Sequence, residues 1–176
     1  MVFTEVILEH LGTIFNDYNF KVIEQRPDFI EVQSKAYKII IAHNQFENSN
    51  TFWLGVNDKD HLVEIDNECL ELYFHSKLKL SGVSLEDFVE NLHKFFQLEG
   101  KSIFENTTLI NKLMEFDDKR SEDYTQNILS RQVIESADIA WENEDYNCFI
   151  NILDDIDYKL LPSSYKLKYK IAQNRK

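Results

Sequence analysis

Apolar residues change their spacing twice along this chain, and that change limits the folds open to it. They recur three or four positions apart up to Phe15, fall into short runs between Phe20 and Ile65, and return to helical spacing afterwards. A strand alternates its faces residue by residue, whereas a helix returns to one face about every 3.6 residues, so the pattern reads helix, strands, helices. The runs Phe20 to Glu24, Phe29 to Gln33, Tyr37 to His43, Phe52 to Val56 and Leu62 to Ile65 are five expected strands. Arg26-Pro27-Asp28, Ser34-Lys35-Ala36, Asn44 to Asn50 and Asn57-Asp58-Lys59-Asp60 connect them, with Pro27 presetting φ for a tight turn. None is long enough for a parallel crossover, so the strands should form an antiparallel meander.

Before the strands, Thr4 is an expected N-cap for a helix carrying Ile7, Leu8, Leu11, Ile14 and Phe15 on one stripe, which would cover a face of the sheet. After them, Asp66 can cap Cys69, Leu70, Tyr73 and Phe74 at helical spacing; Leu70, Leu72 and Phe74 also alternate as in a strand, and a short helix is preferred. Ser84-Leu85-Glu86-Asp87 is a capping-box pattern ahead of Leu85, Phe88, Val89, Leu92, Phe95 and Phe96, with Gly100 as the expected stop. Leu109, Ile110, Leu113 and Met114 mark the next helix, and Ser121 opens another through Tyr124, Ile128, Leu129, Val133, Ala137, Ala140 and Trp141. A further helix follows Asp145 with Tyr146, Phe149, Ile150, Leu153 and Ile156, ending near Leu161-Pro162; Ser163 or Ser164 then caps a last one through Tyr165, Leu167, Tyr169 and Ile171. The expectation is an α+β protein: an N-terminal helix on an antiparallel meander of about five strands, then an all-helical C-terminal half. Residues 1–100 form the α+β unit and 101–176 the helical unit, packed together as one globular domain.

The 176 residues are 43% hydrophobic and 28% charged, with four Gly and two Pro, a composition that folds rather than staying disordered. Net charge is −12, which opposes binding to a phosphate backbone and excludes nucleic acid as an expected partner. Cys69 and Cys148 are too few and too far apart for a disulfide framework or a metal cluster. The start Met1-Val2-Phe3-Thr4-Glu5 has no basic stretch leading into an apolar one, and no long apolar run follows, so a cytoplasmic protein, or one exported without a cleaved signal, is expected, with no membrane partner.

Recognisable chemistry is absent. No glycine-rich phosphate loop and no nucleophile elbow occur. His10, His43, His61, His75 and His93 lack the helical spacing of a metal pair. Asp58-Lys59-Asp60 starts like a calcium loop, but Val63 stands where that loop needs glycine. Asp117-Asp118 and Asp154-Asp155 are neighbours that should point to different helix faces. No catalytic residue, metal site or cofactor is expected.

Candidate residues for recognising a partner remain. Phe52 and Trp53 are adjacent on a strand and so face opposite sides; Trp53 should lie away from the first helix and could anchor an interface. From Asn127 to Asp157 there are eight acidic residues against Arg131, and from Tyr158 to Lys176 six basic residues and none acidic. Pairing between the two stretches accounts for much of this asymmetry. The other reading turns Glu142, Glu144, Asp145, Asp154, Asp155 and Asp157 outward to receive a cationic partner.

Ala137, Ala140, Asp145-Tyr146, Leu153, Ile156 and Pro162 resemble one tetratricopeptide-type hairpin, but Phe149 replaces its usual small residue and no second copy follows, which favours an ordinary antiparallel helix pair. In overall style, small, acidic, α+β, motif-free and rich in Asn, Ile, Lys and Phe, the chain resembles bacterial immunity proteins of polymorphic-toxin and contact-dependent inhibition systems. That resemblance implies a non-catalytic protein that occludes a basic cognate toxin, and it transfers no residue. The helix-then-sheet order of residues 1–100 is similar to type III secretion chaperones, which implies a dimeric cargo adaptor, although the helical C-terminal half departs from that pattern. An enzyme with an unfamiliar site is a further alternative, since fold does not dictate function.

Overall fold

The computed structural model describes residues 2–156, 158 and 161–175. It opens with helix α1 (Phe3–Asp17), continues through strands β1 (Lys21–Arg26), β2 (Phe29–Gln33), β3 (Tyr37–Asn44), β4 (Ser49–Val56) and β5 (Leu62–Glu64), and then turns helical. The helices are α2 (Asn67–Leu72), α3 (Leu85–Glu105), α4 (Thr107–Glu142), α5 (Tyr146–Asp154) and α6 (Ser163–Arg175). The strands form one antiparallel sheet in the order β1-β2-β3-β4-β5, the expected meander. The protein is α+β, with a helical C-terminal half as its sequence pattern implies.

Two compact units divide the chain, Met1–Asp118 and Lys119–Lys176. The sequence reading put the boundary after residue 100. It falls later because Ile103, Ile110, Leu113 and Met114 bury their side chains in the first core.

That core lies between one sheet face and the helices. Ile30, Val32, Ile39, Ile41, Phe52, Leu54 and Val63 alternate inward along the strands and are almost fully buried. Ile7, Leu11 and Phe15 of α1 and Phe88, Leu92, Phe95 and Phe96 of α3 join the same cluster. Phe52 meets Phe95 at 5.7 Å and Phe96 at 5.5 Å between centroids, edge to face. Phe104 extends the cluster to Tyr18, Phe20 and Tyr37. Most of the aromatic residues therefore serve packing, each removing a large apolar area from water.

The caps divide into those found and those displaced. Asp66 accepts the Cys69 N–H at 2.7 Å and starts α2, and Ser84 accepts the Asp87 N–H at 3.1 Å and starts α3. Thr4 does not cap α1: it is buried inside the helix, where its hydroxyl accepts from Gln25 Nε2 at 3.3 Å, and Val2 takes the cap position. Gly100 does not stop α3, which runs on to Glu105 because Ile103 and Phe104 still have apolar partners to reach. Ser121 opens no new helix either. It lies inside α4, with its carbonyl accepting from Thr125 Oγ1 at 2.9 Å, since neither Gly nor Pro interrupts the run around it. Ser163 and Ser164 belong to the first turn of α6, where the Pro162 carbonyl accepts from Tyr165 N–H at 3.0 Å and Lys166 N–H at 3.1 Å.

The Lys119–Lys176 unit has a smaller core of Ala137, Ala140, Phe149, Ile150, Leu153, Leu161 and Ala172, with Trp141, Tyr146, Tyr165 and Tyr169 around it. Among the described residues, no helix is long and apolar enough to cross a membrane.

Candidate partner-binding surfaces

In the first unit, the sheet face away from α1 and α3 presents a row made by register: Glu31 pairs with Ile40, Ile40 with Trp53, and Trp53 with Glu64. Trp53 thus points outward, opposite the buried Phe52, as strand alternation requires. It lines an open depression with Phe29, Ile40, His61 and Leu62, and it is half-buried there. The Arg26 guanidinium lies 4.5 Å from the centre of the Phe29 ring, a cation–π contact at one border.

At the other border, His61 links the β4–β5 connection to α4. Its Nε2 is 3.1 Å from Asp117 Oδ2 and its Nδ1 is 3.5 Å from Asp118 Oδ1. Consecutive helix residues were expected to diverge. Here both carboxylates reach one imidazole because its two ring nitrogens lie on opposite sides of a flat ring. Lys59 Nζ adds a bond to Asn111 Oδ1 at 3.3 Å, so the depression has a firmly held edge.

The acidic residues of the second unit divide by use. Asp145 is the N-cap of α5, accepting the Cys148 N–H at 3.0 Å. Asp154 accepts a hydrogen bond from the Tyr169 hydroxyl, which raises that phenol's pKa. Asp138, which sequence reasoning did not single out, accepts from the Tyr165 hydroxyl and from Lys168 Nζ at 2.9 Å. Those two donors, the tyrosine first, hold the Asp138 carboxyl below the usual range, while burial and then Asp138 push Tyr165 up to about 12. The α6 register of Tyr165, Lys168 and Tyr169 carried the signal for this clasp: residues three and four apart share a helix face.

Glu142, Glu144 and Asp155 are exposed, and none of their side chains is used in a hydrogen bond or ion pair with another described residue. Asp157 lies outside the described residues. Two of them stand where a negative charge works against the helix dipole, and the third holds a backbone conformation that disfavours any side chain. Glu142 is the last residue of α4 and Asp155 is the C-cap of α5, at the negative poles of their helices. Glu144 has φ 58°, a left-handed conformation natural to glycine, in the turn where Asp145 N–H reaches Ala140 O at 3.0 Å.

Glu142, Glu144 and Asp145 are therefore gathered at one end of α5, and Asp154 and Asp155 at the other, about 13 Å away at the rise of a helix. Trp53 belongs to the other unit. Among the described residues, no three His, Cys, Asp or Glu side chains converge as a metal site. Comparison of the chain with protein-family models, curated proteins and solved structures gives no match.

Proposed function

We propose that this is a non-catalytic binding protein that meets a basic protein partner, and that it acts in the cytoplasm as an immunity protein, occluding the surface of a toxin. One observation carries the reading: Glu142 and Asp155 hold exposed carboxylates at the negative poles of their helices, and Glu144 holds another in a turn whose left-handed backbone favours glycine. Charges held against local stability are accounted for by recognition better than by folding. The net charge of −12 supplies the long-range field that would steer a cationic partner into contact. The half-buried Trp53, with Phe29, Ile40 and Leu62 around it, supplies an aromatic anchor of the kind that dominates interface energies.

The test is calorimetry and stopped-flow binding between the full chain and the product of a neighbouring toxin-like gene, over a range of ionic strength. The association rate should fall steeply with salt, and the combined variant Glu142→Gln, Glu144→Gln, Asp155→Asn should slow it by about tenfold at low salt. Trp53→Ala should raise the dissociation rate instead, at a cost of about 2 kcal/mol. Salt-insensitive binding would remove the acidic surface from the mechanism, and turnover of a metabolite by the purified chain would overturn the non-catalytic reading.

A further inference from the structure

We propose that the Lys119–Lys176 unit contains a small-molecule site for a free apolar α-amino acid. A cleft of about 370 Å³ opens between α4 and the residues Ile156, Leu161 and Pro162, at the small end of the range typical of ligand sites. Ile134, Ile156 and Leu161 supply an apolar floor, and Leu161 is almost fully buried. Asn127, Arg131 and Glu135 stand along its α4 side at intervals of four residues, one helical turn apart.

Arg131 is the single basic residue between Asn127 and Asp157. It and Glu135 have the spacing of a helix ion pair. Yet neither side chain is used in a hydrogen bond or ion pair with another described residue. An anion with an apolar tail would be drawn to Arg131 and repelled by Glu135; an apolar amine would meet the reverse. A ligand carrying both charges at one end satisfies both, with its carboxylate on Arg131 and the Asn127 amide, its ammonium on Glu135, and its side chain on the apolar floor. An α-amino acid with an aliphatic or aromatic side chain is the smallest such molecule, and a residue inside a peptide chain has neither charge.

The test titrates the full, isotope-labelled chain with L-leucine and L-phenylalanine, and with N-acetyl-leucine and leucinamide as probes that each lack one charge. The expected result is a saturable shift of the amide signals of 127–135, Leu161 and Ser163 at ligand concentrations up to about 1 mM, with each single-charge probe at least about tenfold weaker. Arg131→Gln should weaken leucine by about tenfold, and Glu135→Gln should remove the difference between leucine and N-acetyl-leucine. Both side chains are exposed, so these variants keep the fold. Absence of saturable shifts, equal binding of the charged and capped ligands, or shifts confined to residues outside the cleft would each overturn the proposal.

Discussion

Glu144 is a residue whose backbone and side chain want different things. A left-handed φ costs a non-glycine residue roughly 1 kcal/mol, so Glu144→Gly should raise the unfolding free energy of the second unit by about that much in urea denaturation, while removing a charge from its surface. The glycines of the first unit make an opposed pair. A Cβ at Gly12, in the middle of α1, would meet nothing within 4 Å, so Gly12→Ala should stabilise by roughly 0.5–1 kcal/mol. A Cβ at Gly55 would lie 2.7 Å from the His61 carbonyl oxygen, and Gly55→Ala should cost about 1–3 kcal/mol by urea denaturation. The Asp138–Tyr165 bond acts at both ends of the pH scale. The folded carboxyl is held low, so its contribution is complete above the ordinary carboxylate range and disappears as pH falls through the folded value. The folded phenol is held at about 12 against an ordinary 10, so its contribution is complete below pH 10 and is lost as pH rises toward 12. Tyr165→Phe should flatten both slopes in denaturation midpoints measured against pH. With Asp138 41% exposed, the acid-side change should stay below about 1 kcal/mol.

Helices and strands were legible in the sequence to the extent that periodicity or a cap signalled them. The five strands were legible because alternation and turn residues agree with one another, and α3 because a serine cap precedes a long apolar stripe. Punctuation without a matching change in packing misled. Gly100 looks like a stop, but its neighbours still face the aromatic cluster, and Ser121 looks like a cap, but no breaker precedes it. The two readings of Ser121 differ in sign under test. As a cap, its replacement by alanine would cost about 1 kcal/mol; inside α4, Ser121→Ala should be neutral or slightly stabilising, by up to about 0.5 kcal/mol, in thermal melts. The outward direction of Trp53 was likewise legible, because strand parity decides it. The cap made by Asp145 is local, but the pairing of Asp138 and Asp154 with α6 was not legible, because their partners lie 27 and 15 residues away in the chain.

At the scale of the molecule, the two cores differ in depth. The first buries fully a long series of aliphatic and aromatic side chains, whereas, among the described residues, three of the seven buried in the second core are alanines. Apolar area removed from water sets most of the stability, so the second unit should be the weaker of the two. The chain has two tryptophans, one in each unit: Trp53 on the sheet, and Trp141 at 5.5 Å from Tyr146 and 5.1 Å from Phe149. In the single-tryptophan variants Trp53→Phe and Trp141→Phe, the emission of Trp141 should change at a lower urea concentration than that of Trp53. Coincident transitions would show that the units unfold as one. The same placement provides an optical assay in the native state. A protein docking over the sheet should blue-shift the Trp53 emission and protect it from acrylamide quenching, whereas one seated on the Glu142–Glu144 turn should alter Trp141, so the two colours report the two surfaces separately.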